Sequence, residues 1–118
     1  MTAVPVAGSI MVDCRDATAL STFWRELLDV EVLAEHPGYV WLKPQREGGF
    51  AFAFQEVPDP TPGKNRVHLD LGHDDLDAVD ERVSELGGKV LEEHTSPGFV
   101  WRVYADPEDN VFCVARSA

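Results

Sequence analysis

The chain carries 118 residues, 10 of them Lys or Arg and 21 Asp or Glu, for a formal net charge of −11 at pH 7. A chain of this length forms one domain that buries a core without help from metals or disulfides, and so acidic a surface repels nucleic acid, leaving a neutral or cationic partner, or simple solubility, as readings of the charge. Met1 to Gly8 lacks the basic-then-apolar order of an export signal, no window approaches about 18 apolar residues, and Cys14 and Cys113 match neither a disulfide framework nor a zinc spacing; a soluble, cytoplasmic protein with two thiols and no membrane contact is expected.

Ser9 to Cys14 alternates apolar and polar residues as a half-buried strand does. Asp16 then offers a cap for a helix whose apolar residues Leu20, Phe23, Trp24, Leu27 and Leu28 keep the i, i+3, i+4, i+7, i+8 spacing of one buried stripe. Three short strands follow, near Val30 to Ala34, Tyr39 to Lys43 and Phe50 to Glu56, divided by Pro37-Gly38 and Gly48-Gly49. Val57 to Lys64, with three prolines, is a spacer, because proline removes amide donors that a strand needs. The order then repeats: a strand Val67 to Leu71, a helix capped near Asp74 with Leu76, Val79, Val83 and Leu86 inward and Gly87-Gly88 at its end, and strands near Lys89 to His94, Phe99 to Ala105 and Val111 to Ala115.

The repetition is literal in places. Glu35-His36-Pro37-Gly38-Tyr39-Val40-Trp41 returns as Glu93-His94, a two-residue insertion, and Pro97-Gly98-Phe99-Val100-Trp101, while Leu20, Trp24 and Leu27 return as Val79, Val83 and Leu86. Strand alternation sorts side chains between two faces. Ile10, Val12, Phe50, Phe52, Phe54, Phe112 and Val114 make the layer under the helices, and Val67, Leu69 and Leu71 join it. The opposite face holds Ser9, Met11, Asp13, Ala51, Ala53, Gln55, His68, Asp70, Val111, Cys113 and Ala115, a small and partly polar surface suited to a ligand. Trp41 and Trp101 hold matching positions, and alternation leaves both faces open to them, since Arg102 and Tyr104 blur the second copy. The acidic residues of the second helix, Asp77 and Asp80 among them, read as a solvated face, and His36 and His94 read as exposed turn residues.

Two βαβββ modules, with His68-Leu69-Asp70-Leu71 opening the second and Asp106-Pro107-Glu108-Asp109-Asn110-Val111-Phe112-Cys113-Val114 closing it, resemble the vicinal oxygen chelate superfamily of glyoxalase I, extradiol dioxygenases, fosfomycin-modifying enzymes and bleomycin resistance proteins, and within it the glyoxalase-like domains. The resemblance implies an α+β fold in which the tandem modules, at about 5–57 and 66–116 with a linker at about 58–65, make one domain. In it they form a curved mixed sheet around a cleft with helices outside. Asp109 stands where the family's closing turn has glycine, and Asp tolerates left-handed geometry, so the turn is expected to survive. The family's metal ligands come from four strand positions that fall here on Ser9, Ala53, His68 and Cys113. Only His68 is a good ligand, so neither glyoxalase I nor dioxygenase activity is expected, and no metal or other cofactor, although His68 and Cys113 with Asp70 offer zinc one conceivable set.

Two readings follow. In the first the protein binds and sequesters a cationic or aromatic small molecule without a metal, using Met11, Asp13, Trp41, His68, Asp70, Trp101 and Cys113. In the second it is a lyase or isomerase in which His68, oriented by Asp70, moves a proton, with or without a weakly bound divalent metal. The resemblance implies a homodimer in either case.

Overall fold

The computed structural model describes residues 8–62 and 68–117. Expectations for residues before 8 and for 63–67, Val67 and part of the spacer among them, lie outside that range. The chain divides between Pro60 and Thr61 into two units, inside the proline-rich spacer. Each unit is a βαβββ module, with β1 (Ser9–Cys14), α1 (Ala17–Leu28), β2 (Val32–His36), β3 (Tyr39–Leu42) and β4 (Ala51–Glu56) in the first. The second has β5 (Asp70–Gly72), α2 (Leu76–Glu85), β6 (Lys89–Ser96), β7 (Phe99–Ala105) and β8 (Val111–Ser117). The strands form two four-stranded mixed sheets, ordered β1-β4-β3-β2 and β5-β8-β7-β6, with the first strand of each module parallel to the last.

In module one, Asp16 caps α1 by accepting from the Ala19 amide at 3.0 Å, and the Glu56 carboxylate accepts from the Ala17 amide at 3.3 Å. Both put negative charge and acceptors where a helix start leaves amides unpaired. Asp29, left-handed at φ 56°, closes the other end by donating its amide to Arg25 and Glu26. Leu20, Phe23 and Trp24 are buried, and Trp24 meets Phe23 and Phe52 edge-on, so the stripe read from the sequence is the core of this module. Ile10, Val12, Phe52 and Phe54 pair in register beneath it. Phe50 departs from expectation: it precedes β4, outside the sheet, and is 54 % exposed.

Module two has the same layering with a different chemistry under the helix. Asp75 rather than Asp74 caps α2, accepting from the Ala78 amide at 3.1 Å. Tyr104 is 0 % exposed, stacks on Phe112 at 5.4 Å, and donates its hydroxyl to Asp80 at 2.7 Å. Arg102 donates to Asp77 at 2.9 Å, Asp80 at 2.7 Å and Glu93 at 2.8 Å. The inner acidic side of α2 is therefore a partner for β7 and not a purely solvated face, because Arg102 can run its stem along apolar neighbours and deliver charge to the helix. Glu93 and then Asp77 raise the guanidinium pKa, holding the group charged.

Burial, followed by the hydrogen bond to Asp80, holds the Tyr104 phenol well above its ordinary range near 10. The unfolded chain loses that proton from about pH 10 upward while the folded chain keeps it, so this contribution to stability is complete below about pH 10 and declines as pH rises beyond it. Tyr104→Phe is expected to lower the unfolding free energy by about 1.5 kcal/mol at pH 7. It should also flatten the loss of stability between about pH 10 and 12. Urea titrations at both pH values check this, and an unchanged alkaline slope would show that Tyr104 does not set it.

β8 begins after the turn Asp106–Asn110, which survives the replacement of glycine. Asp109 adopts φ 66°, its amide donates to the Asp106 carbonyl, and the Asp106 amide donates to the Asn110 carbonyl, both at 2.9 Å. Among the described residues no helix is long and apolar enough to cross a membrane.

Candidate functional site

Strand register settles the faces. In module one Met11 pairs with Ala53 and Ala53 with Trp41, while Asp13 pairs with Gln55 and Gln55 with Tyr39. Register partners share a face, and the neighbouring residues Phe52, Phe54, Val40 and Leu42 turn to the helix. Trp41 therefore lies on the open face with Met11 and Asp13, as does Tyr39, whose ring stacks on Trp41 at 5.7 Å and 17°. In module two Asp70 pairs with Cys113 and Cys113 with Val103, while Gly72 pairs with Ala115 and Ala115 with Trp101. Arg102 and Tyr104 take the helix face, which assigns Trp101 to the open one and removes the ambiguity that their polarity creates in the sequence.

His68, Asp70 and Cys113 come together here. His68 Nε2 lies 3.5 Å from Asp70 Oδ1, and the Cys113 thiol joins them so that one ligand atom from each lies within 4.8 Å of the others. The thiol is thus a neighbour of the imidazole, because the parallel pairing of β5 with β8 sets Cys113 beside Asp70. Phe99, Trp101 and Ala115 continue this surface into an open hollow of about 310 Å3. Cys14 is buried under α1 in module one, and neither cysteine forms a disulfide.

Two histidines read as exposed turn residues belong to this surface instead. His36 and His94 lie in strands, and each touches its module's tryptophan. Both strands carry a bulge, at Leu33 and Leu91, that shifts the alternation and turns the following Ala34 and Glu92 to the open face. In module one the hairpin turns at Pro37-Gly38, so His36 pairs with Tyr39 and meets Trp41 only edge-on, at 6.1 Å and 80°. In module two the inserted Thr95-Ser96 lengthens the hairpin by two residues. That keeps the face and moves His94 one same-face step away from the turn, opposite Trp101, where the rings stack at 5.2 Å and 21°. The Glu92 carboxylate accepts from His94 Nε2 at 2.7 Å. The shared heptad and its insertion were the available signal, given the period of two.

Each open face thus carries a row of three rings, His36, Tyr39 and Trp41 or His94, Phe99 and Trp101, with carboxylates on the same face at Asp13 or at Asp70 and Glu92. Such a surface can stack a flat molecule and attract positive charge.

Known proteins place the chain in a wider group. The family model described as a glyoxalase-like domain matches residues 9–115. No curated protein gives a significant match. Among solved structures the fold is similar to a glyoxalase/bleomycin resistance protein/dioxygenase family enzyme from Burkholderia phytofirmans PsJN, with TM-score 0.77 and 19 % identity over 95 % of this chain and 98 % of that one. It is similar also to TnmS3, an antibiotic-binding protein from Streptomyces sp. CB03234, with TM-score 0.71 and 22 % identity over 100 % of both chains. The fosfomycin resistance protein FosX from Mesorhizobium loti gives TM-score 0.73 and 14 % identity over 98 % and 94 %. At such identities the structures speak for the fold alone, whereas the family model spans nearly the whole sequence. The chain belongs to the glyoxalase-like domain family of the vicinal oxygen chelate superfamily.

Proposed function

We propose that the protein binds, and by binding sequesters, a planar aromatic small molecule carrying positive charge, and that it needs no metal to do so. The observation that carries this reading is the aromatic row His94, Phe99 and Trp101 bordering the hollow that holds Asp70. Rings supply stacking surface at low conformational cost, and the nearby carboxylates and a net charge of −11 favour a cation. Met11, Asp13 and Trp41 are the corresponding contacts in module one. Similarity in fold to an antibiotic-binding protein and to a fosfomycin resistance protein supports a small organic ligand. A cytoplasmic homodimer is part of the proposal. Exposed Val32 and Leu33 on β2 and Val90 and Leu91 on β6 support self-association, which sedimentation velocity reads directly.

The test is calorimetric titration, in chelator, of a cationic planar dye and of a sulfonated dye with the same ring system. The cation is expected to bind in the micromolar range and to weaken as salt rises, since exposed charges are screened beyond about 8 Å at physiological ionic strength. Equal binding of both dyes would remove the charge argument, and binding of neither would remove the stacking one. The distance of 3.5 Å between His68 and Asp70 favours a second reading, a lyase or isomerase in which His68 moves a proton. Chemical conversion of a bound carbonyl compound, lost in His68→Ala, would select it.

A further inference from the structure

The four positions from which the superfamily draws its metal ligands do not fit that metal here. Ser9 and Ala53 in module one offer no strong donor, and Ala53 is 0 % exposed. Module two, however, adds a donor that those four positions lack. Asp70 pairs with Cys113 and follows His68 by two residues, its carboxylate 3.5 Å from the imidazole. The Cys113 amide also donates to the Leu69 carbonyl at 2.9 Å, pinning β8 to the backbone between the two donors.

We propose that module two by itself forms a site for one soft divalent cation of the zinc class, held by His68 Nε2, an Asp70 carboxylate oxygen and Cys113 Sγ. Tetrahedral zinc, with bonds of about 2.0–2.1 Å to nitrogen and oxygen and about 2.3 Å to sulfur, sets its donors roughly 3.4–3.6 Å apart. His68 and Asp70 already stand at 3.5 Å, and the whole set lies within 4.8 Å, so side-chain rotations of about an ångström close it. Imidazole, carboxylate and thiolate together suit zinc or cobalt and disfavour magnesium and calcium, which take oxygen donors. Three protein ligands leave a fourth position, and the three line the hollow shared with Phe99 and Trp101, so that position opens where a small molecule can reach it.

The metal site shares Asp70 and its hollow with the stacking surface proposed above but does not use the tryptophan ring, and the test separates the two. Untagged protein, stripped with chelator and dialysed, is offered zinc, cobalt(II) or magnesium and examined by native mass spectrometry and absorption. One zinc per chain is expected, with a thiolate-to-cobalt charge-transfer absorption and no magnesium adduct. Cys113→Ser and His68→Ala should remove the absorption and weaken zinc by at least roughly 10-fold, the loss that even an outer-shell partner of a metal ligand produces. Cys14→Ser should change neither, and Trp101→Ala should weaken dye binding while keeping the zinc. Should Cys113→Ser fail to fold, zinc is expected to slow iodoacetamide alkylation of Cys113 in the unaltered protein, located by peptide mass. Absence of zinc uptake at micromolar concentration, uptake unchanged in Cys113→Ser, equal uptake of magnesium, or unprotected Cys113 would each overturn the proposal.

Discussion

Asp106→Ala is expected to lower the unfolding free energy by about 3 kcal/mol, the largest stability loss foreseen for any polar residue in module two. Asp106 is 1 % exposed, and its carboxylate accepts from the Glu108 and Asn110 amides at 2.9 Å and from the Asn110 side chain at 2.8 and 3.1 Å. Alanine deletes the acceptor and leaves those donors aimed at a small apolar group, so the desolvation of several N–H groups goes uncompensated. Asp106→Asn keeps one acceptor oxygen and is expected to cost about half as much. Urea denaturation of the three proteins measures the series. A change below about 1 kcal/mol in the alanine variant would show that solvent satisfies the turn and that the carboxylate is not its organiser.

Trp101→Ala is expected to weaken binding of the cationic dye roughly 30-fold, or about 2 kcal/mol. About half of this comes from the ring–ring preference and half from apolar surface no longer covered by the ligand. Trp101 is half-buried and packs against His94 and Phe99, so the variant also loses some stability, and its affinity is read below its own melting temperature. Calorimetry reads the affinity without relying on tryptophan emission. Trp101→Phe keeps a ring and should recover most of the loss. Unaltered affinity in folded Trp101→Ala would move the ligand away from module two and leave Trp41 with Tyr39 as the stacking surface to test next.

Much of this surface was legible before the structure. Period-two alternation placed Met11, Asp13, Asp70 and Cys113 on one side of their strands, and the register agrees, because a strand has only two faces and the apolar partners of the helices claim one of them; His68, expected in the same strand as Asp70, precedes β5 and joins them by its 3.5 Å contact with Asp70. Trp41 and Trp101 were not legible, since alternation in β7 presents Trp101, Val103 and Ala105 on one side and Arg102 and Tyr104 on the other, and hydrophobicity alone points the wrong way. The decision came from Asp77 and Asp80 on α2, which give a buried tyrosine and an arginine partners under the helix. His36 and His94 were misread for a related reason. A bulge adds one residue to a strand, which inverts the face of everything after it, and no residue type marks its place.

By itself the sequence determined the duplicated module, the apolar stripe of each helix, the cap at Asp16 and, to within one residue of Asp74, that of α2, and the faces of the regular strands, because these follow from local periodicity and the chemistry of nearby groups. Only the tertiary structure decided what depends on partners distant in the chain: Arg102 and Tyr104 under α2, the tryptophans on the open faces, and Asp70 paired with Cys113 beside His68. Register between strands more than 40 residues apart is set by the packing of the whole module, and one step of it moves a side chain from core to surface.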